Sequence, residues 1–369
     1  MIRRLLYLNG LAAFSAVLYH ATGWGFTAMF WWTDRYRPVS VPNFDQLGGI
    51  SYFSIRAIEQ MVTVAIPAFL FVSGFFVAFA AGRTHRTVSW NIVGVRVKNI
   101  AIPYLVWSLL IIGAAMVLGA RYSGVKIAQM LAFGETEPPY YYVPLLIQLY
   151  LLSPLIVLWA KAEWKSLLGV TALVQLVAVG VRNAGILPLD IPALNALGWL
   201  GRSWFFTSHI FWFSAGVVVS FHLKPMKMLT ARFKWWLVAG TIIAYLAGIA
   251  EWEMLFRLSG QQWIASQETL VDGVYSIFFM LTFIAFDGMP LPAAKRIGDI
   301  GVKSFGIYLI HSPVLAVASK IIYHVTPWML GYQIIYQSVL VALGLGVPLF
   351  LMWLVKKSPA HPYYQYLFG

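Results

Sequence analysis

The sequence predicts an all-α, polytopic integral membrane protein of about ten transmembrane helices, with both termini cytoplasmic and a single domain over residues 1–369. Three observations support this fold class. Of the 369 residues, 60% are hydrophobic and only 11% are charged, whereas a soluble domain carries about 25% charged residues. The apolar residues form long runs, each close to the length of a membrane-spanning helix. The basic residues concentrate in the loops of one predicted side of the membrane.

Ten apolar segments qualify as spans, because a helix needs about 20 apolar residues to cross the hydrocarbon core. In chain order they are residues 5–31, 51–82, 100–119, 141–160, 167–184, 203–222, 235–253, 269–287, 301–323 and 332–355. Internal prolines such as Pro67 and Pro154 do not exclude a span, since packed neighbours satisfy the freed backbone groups. The first run is too long for a cleaved signal peptide and lacks a small-residue cleavage site, so we expect it to span the membrane.

The distribution of charge predicts the orientation. The N-terminus, the even-numbered loops and the C-terminus hold most of the 26 lysines and arginines, including Arg83, and the other side holds most of the 13 acidic residues. Basic loops face the cytoplasm, so we expect a plasma (inner) membrane protein with cytoplasmic termini and the lipid bilayer as its surroundings. The net charge of +13 then reflects topology, and we expect no nucleic-acid partner. The absence of cysteine excludes disulfides and thiolate chemistry, and no metal site is predicted.

Several polar side chains lie within the predicted spans, where they are costly and usually face a cavity or the protein interior. His20 lies roughly 22 Å from the inner boundary, and Glu59 lies roughly 12 Å from the outer one, at 1.5 Å per residue. Gln148 and His209 lie seven and six residues into their spans from the outer side, Asp272 lies near the outer face and His311 lies near mid-membrane. The sequence therefore predicts a polar chamber that opens to the outer face.

Each of these residues also has a purely structural interpretation. Glu59 and Asp272 could pair with arginines, and Arg56 stands at the helical i, i+3 spacing from Glu59. For His209 we favour a satisfied packing role. An imidazole is suited to act as a general base at neutral pH. For His20, depth and chemistry alone leave a catalytic role and a packing role both open.

One spacing makes His20 more specific. Asn9 precedes it by 11 residues, so the two side chains lie on one helix face, roughly 16 Å apart. They cannot touch the same reacting atom, but they could hold two ends of one long ligand, such as a pantetheine arm. Coincidence is the alternative, because any residues three turns apart would align.

Five segments resemble, in order, parts of the acyltransferase 3 family of membrane-bound enzymes. They are Leu8-Asn9-Gly10-Leu11 with Val17-Leu18-Tyr19-His20, Phe69-Leu70-Phe71-Val72-Ser73-Gly74-Phe75-Phe76, Arg96-Val97-Lys98-Asn99 with Ile102-Pro103-Tyr104-Leu105, Leu149-Tyr150-Leu151-Leu152-Ser153-Pro154-Leu155, and Ser304-Phe305-Gly306-Ile307-Tyr308-Leu309-Ile310-His311. The resemblance extends from residue 5 to about residue 357. Two positions depart from the family pattern, since Asn9 and Asn99 stand where the family has arginines.

The resemblance implies an acyltransferase that takes an acyl group from cytoplasmic acyl-CoA. Arg96 and Lys98 would then meet the phosphates of acyl-CoA, although the positive-inside rule alone explains basic residues there. Asn9 and Asn99 keep hydrogen-bonding capacity but lose the charged clamp of arginine. Gly74, beside Ser73, would allow close approach of a ligand or, as we favour, of a neighbouring helix.

In the implied reaction, His20 accepts the proton of an acceptor hydroxyl that attacks the thioester, and Glu59 orients His20. An acyl-histidine intermediate is an open alternative. Gln148 and Tyr308 are candidate oxyanion donors by depth, and His311 is expected to line the passage. Aromatic residues near the outer boundary favour a glycan or glycolipid acceptor, and the resemblance then implies an O-acetylation reaction. A transporter without chemistry and a catalytically inactive relative remain alternatives, and the oligomeric state is open.

Overall fold

The computed structural model describes residues 2–82, 84–188 and 191–369, without the side chains of residues 193 and 195, so Arg83 lies outside the described residues. The described chain is 80% helix and contains no strand, which confirms the all-α class. The α-helices are α1 (Ile2–Phe30), α2 (Ile50–Val62), α3 (Ala65–Ala81), α4 (Trp90–Val117), α5 (Gly124–Phe133), α6 (Tyr142–Ala184), α7 (Pro192–Leu197), α8 (Ile210–Phe221), α9 (Leu223–Arg232), α10 (Lys234–Ser259), α11 (Leu270–Ala285), α12 (Ala294–Val302), α13 (Ser304–Val325), α14 (Gln333–Lys357) and α15 (Tyr364–Phe368).

The apolar helices agree with a membrane-embedded protein. In the described part of the chain, seven helical segments are long and apolar enough to cross a bilayer: α1, α2 with α3, α4, α6 with the turn before it, α10, α13 and α14. Three further apolar helices, α5, α8 and α11, are shorter. The number of ten crossings and the sidedness of the termini stay predictions.

The breaks within and between the predicted spans differ from the structure in two places. The second span, 51–82, is divided into α2 and α3 at Thr63, because the ring of Pro67 clashes with the carbonyl four residues earlier. The fourth and fifth spans are the two halves of α6, which is kinked at Glu163, where the dihedral angles are non-helical (φ −154°, ψ 77°). The break therefore falls between residues 160 and 167 as expected, but it is a kink at one residue and not a loop.

Two other spans begin later or differently than expected. Residues before Ile210 form short 3-10 turns, so α8 is shorter than the predicted span 203–222. The predicted span 301–323 begins inside α12 and continues as α13 after a break at Lys303. These turns at the helix ends place backbone and side chains around a cavity described below.

Close approach of helix backbones at glycine residues fixes the centre of the molecule. A Cβ atom at Gly74 would overlap the carbonyl oxygen of Phe213 and lie 2.9 Å from its carbonyl carbon, so α3 and α8 pack backbone to backbone. The same holds for Gly10 of α1, whose Cβ would meet the backbone of Ile297 on α12. Small residues permit such contacts between membrane helices. This supports the packing interpretation of the Ser73-Gly74 segment.

We expect Gly74→Ala to destabilise the protein, because the added methyl group meets backbone atoms that cannot move aside. Overpacking of this kind costs about 1–3 kcal/mol. Gly94→Ala, in the interior of α4 with no atom near its Cβ position, is the matched control and should be neutral or slightly stabilising. Thermal unfolding of the purified proteins in detergent measures both effects, and equal melting temperatures for the two variants would contradict the packing.

Candidate active site

A cavity of about 580 Å³ lies between α1, α2, the start of α6 and the segment before α11. We call it the His20 cavity. Its polar wall includes Tyr19, His20, Arg56, Glu59, Gln60, Tyr141, Arg182, Glu268, Asp272 and Tyr308. The structure thus brings together His20, Glu59 and Asp272 from the predicted polar layer. It leaves Gln148, His209 and His311 outside the cavity wall.

His20 faces this cavity from α1 and is half-buried. Its ring centroid lies 5.2 Å from that of His311 and 5.4 Å from that of Tyr19. Among the described residues, none forms a hydrogen bond with the His20 imidazole. Both ring nitrogens are therefore free to bind a ligand that enters the cavity.

His311 lies behind His20 and is completely buried. Its Nδ1 atom is 2.8 Å from the carbonyl oxygen of Tyr308 and 3.1 Å from that of Ile307. Because carbonyls only accept hydrogen bonds, the proton of the neutral ring sits on Nδ1. Nε2 has no protein partner in the described structure and keeps its lone pair, so His311 supports the packing of His20 without donating a proton to the cavity.

Glu59 is hydrogen-bonded to Arg56, and both side chains are buried. Arg56 also donates to Ser266 Oγ at 3.1 Å and lies over the Trp252 ring at 4.1 Å. This Arg56–Glu59 pair at i, i+3 spacing is the structural role that the sequence offered as the alternative to a catalytic role for Glu59. No Glu59–His20 hydrogen bond occurs among the described residues, so an orienting role for Glu59 stays a prediction.

A second ionic cluster on the cavity wall was not predicted. Glu268 lies 3.0 Å from His209 Nε2, and Arg182 Nη2 donates to the Glu268 carbonyl oxygen at 2.9 Å and lies 3.5 Å from its carboxylate. Burial opposes ionisation of Glu268, but the charge of His209 and Arg182 outweighs it and lowers the pKa to about 2. The carboxylate is therefore a fixed negative charge beside the cavity. The only sequence signal was the acidic character of the outer loops.

Other residues of the predicted layer have structural partners. Asp272 forms a capping box with Thr269 at the start of α11 and accepts from Gln60 Nε2 at 2.6 Å. Gln148 bonds the Trp204 carbonyl at 2.8 Å, and Tyr308 donates its hydroxyl to the Pro139 carbonyl at 2.5 Å. Gln148 and Tyr308 thus use their donors within the protein. Two cavity hydroxyls that the sequence did not single out for oxyanion binding, those of Tyr19 and Tyr141, face the same space.

Of the residues expected to bind the donor, Tyr308 lies on the cavity wall, whereas the cavity lining does not include Asn9, Ser73, Arg96, Lys98, Asn99 or His311. Asn9 donates to Ser304 Oγ at 3.2 Å, and Asn99 accepts from Gln365 Nε2 at 3.2 Å. Arg96 donates to the Phe76 carbonyl at 3.0 Å, while Lys98 is exposed. Ser73 stands next to the α3–α8 contact at Gly74.

α1 and α13 therefore meet at two levels. Asn9 contacts Ser304 at one end of the interface, and the His20 and His311 rings adjoin at the other. We call this contact the α1–α13 seam. It is the line along which a ligand would connect Asn9 with His20.

The fold and the site define the class of protein: it is all-helical and membrane-embedded, and its polar cavity contains a histidine. The chain belongs to the acyltransferase 3 family, since the family model described as "Acyltransferase domain" matches residues 3–355, nearly the whole chain. It is therefore a membrane acyltransferase. No curated protein and no solved structure matches the chain.

We expect the Glu268 charge to stabilise the fold with a defined pH dependence. The carboxyl has a pKa of about 2 in the folded protein, against an ordinary value of 4.5. Its contribution is fully present above about pH 4.5 and is lost as the pH falls towards 2. The melting temperature of wild type minus that of Glu268→Gln should stay constant from pH 7 to pH 5 and shrink below pH 4.5. A difference that already shrinks between pH 7 and pH 5 would contradict the lowered pKa.

Proposed function

We propose that this protein transfers an acyl group, in the simplest case acetyl, from cytoplasmic acyl-CoA to a hydroxyl of a cell-surface glycan or glycolipid at the outer face of the plasma membrane. One observation carries the proposal. His20, with no hydrogen-bond partner among the described residues, faces a polar cavity of about 580 Å³ in a chain of this family.

The reaction assigns His20 the role of general base. Its imidazole accepts the proton of the acceptor hydroxyl while the hydroxyl oxygen attacks the thioester carbonyl carbon. The C–S bond then breaks, and the imidazolium returns the proton to the CoA sulfur. Tyr19 and Tyr141 are positioned on the cavity wall to donate hydrogen bonds to the developing oxyanion. An acyl-histidine intermediate would use the same residues in two successive steps.

Two carboxylates share the cavity with His20. Glu59 and Glu268 both line the cavity, although each is paired with an arginine. The Arg56–Glu59 pair is desolvated, and removal of one member of such a pair leaves an uncompensated charge. We therefore assign Glu59 a positioning role that acts through Arg56 and the local field.

The acceptor would enter among aromatic and acidic side chains. Trp31, Trp252 and Trp263 line the cavity beside Glu268 and Asp272. Indole faces stack on the apolar faces of sugars, and carboxylates accept hydrogen bonds from hydroxyl groups. This combination supports a polyhydroxylated acceptor.

The donor would reach His20 along the α1–α13 seam. Acyl-CoA is long enough to place its phosphates near Arg96 and Lys98 while its pantetheine arm passes Asn9, which is roughly 16 Å from His20. Ser73, Asn99, Tyr308 and His311 are the further residues that we assign to this passage. The Asn9 amide has an unpartnered, buried Oδ1 atom, which suits it to accept a hydrogen bond from an amide of the arm.

We expect His20→Ala to abolish acceptor-dependent release of free CoA from acetyl-CoA. Among the described residues, no other histidine lines the cavity and could act as the general base. His324→Ala, at an exposed position on α13, is the matched control and should retain the wild-type rate. Membranes containing each variant are assayed for CoA with and without acceptor. Equal acceptor-dependent release by wild type and His20→Ala would remove His20 from the chemistry, whereas no acceptor-dependent release by wild type would favour a transporter.

Glu59→Gln should lower turnover and leave the affinity for acetyl-CoA nearly unchanged, because the donor contacts lie at the far end of the seam. Steady-state kcat and donor KM measure the two effects separately, and purified monodisperse protein excludes misfolding as the cause. An unchanged kcat would exclude Glu59 from the site.

We expect the wild-type protein, with Asn9 and Asn99 in place of arginines, to be active. Acetyl-CoA consumption by wild type and by the Asn9→Arg/Asn99→Arg double variant tests this. An inert wild type with an active double variant would establish that this chain is an inactive relative.

A further inference from the structure

A second, smaller groove adjoins the His20 cavity. It has a volume of about 230 Å³ and lies between the second half of α6, the start of α8 and the first two turns of α11. Thr63, Glu268, Thr269 and Asp272 line both spaces. The groove therefore lies directly beside the candidate active site, and the boundary between them is polar.

Beyond this boundary the groove is apolar. Its wall includes Ala172, Leu176 and Val179 of α6 and Val274 and Ile277 of α11. Leu176, Val274 and Ile277 are 56%, 45% and 37% exposed, so the groove opens sideways on the outside of the helix bundle. Side chains with this exposure on apolar helices face lipid in a membrane protein.

The depth of the groove matches one leaflet. Its α11 residues extend from Leu270, at the helix start, to Ile277, which is roughly 10 Å along the axis. This is the predicted outer end of the helix. The groove is smaller than the 300–1,000 Å³ typical of whole-ligand pockets, so it suits a single hydrocarbon chain.

We propose that this groove holds the hydrocarbon chain of a lipid-anchored acceptor, whose hydroxyl-bearing head group lies in the His20 cavity. The inference rests on the proposed function and deepens it, because it selects a glycolipid over a water-soluble glycan. The acceptor would move sideways from the outer leaflet between α6 and α11. Glu268 and Asp272 stand where the chain meets the head group and can accept hydrogen bonds from its first hydroxyls.

Photo-crosslinking tests the occupant directly. The protein is reconstituted in phosphatidylcholine liposomes with a glucosyl lipid that carries a diazirine within its acyl chain. A phosphatidylcholine with the same diazirine chain, at the same mole fraction, reports labelling by bulk lipid. We expect the glucosyl probe to label residues 172–179 and 270–277 several-fold more than the phosphatidylcholine probe, as read by mass spectrometry of the peptides.

Groove-filling variants provide the control. Gly273 lines the groove and has no atom near its Cβ position, so Gly273→Leu should abolish the excess labelling. Gly169→Leu, on α6 with equally open surroundings and outside the groove, should leave it intact. Ala172→Phe is a second filling variant if Gly273→Leu is not monodisperse. Equal labelling by both probes, or excess labelling that survives both filling variants, would overturn the proposal.

The labelling does not depend on turnover, so the two proposals can fail separately. Selective labelling in a protein that releases no CoA would support the lipid groove and refute the acyl-transfer assignment. CoA release with a water-soluble methyl glucoside as efficient as with the glucosyl lipid, together with unselective labelling, would refute only the groove.

Discussion

Polar groups inside a membrane protein have to find partners within the protein, and this constraint determines which residues of the cavity are left for chemistry. Glu59 is paired with Arg56, Asp272 with Gln60 and the α11 N-terminus, and Glu268 with Arg182 and His209. His20 differs from these three carboxylates, since none of the described residues forms a hydrogen bond with it. An imidazole that borders a polar cavity without a protein partner is available to a substrate.

The α1–α13 seam extends from this imidazole to Asn9, about three helical turns away along α1. Asn9 and Ser304 meet at one level, and His20 and His311 meet at the other. The buried Nδ1 contacts of His311 hold its ring behind His20. A donor arriving along the seam and an acceptor arriving through the cavity would therefore approach His20 from different sides, as transfer across a membrane requires.

The sequence predicted the helices more accurately than the kinks and loops that separate them. Hydrophobic runs located the apolar helices, because burial in lipid needs about 20 apolar residues whatever their partners. Pro67 indicated the division at Thr63. The break between the fourth and fifth spans was also expected, but it is a kink at the single residue Glu163 and not a loop. Local composition does not distinguish a short kink from a loop.

Within the site, the polar residues of the spans were predictable and their partners were only partly so. The Arg56–Glu59 pair follows from i, i+3 spacing. The contact of Glu268 with Arg182 and His209 joins residues that are far apart in the chain, so no local pattern indicates it. The sequence did not indicate a role for Tyr19 and Tyr141 in the site for another reason. Tyrosines near a membrane boundary are common, so their position alone is not informative.

A cryo-EM structure with a ketone analogue of acetyl-CoA, which cannot transfer its acetyl group, tests the central claim most directly. The account predicts that the pantetheine arm lies along the α1–α13 seam past Asn9, with the analogue carbonyl in the His20 cavity beside the imidazole. An analogue bound elsewhere, with its carbonyl separated from His20 by intact protein, would contradict the account.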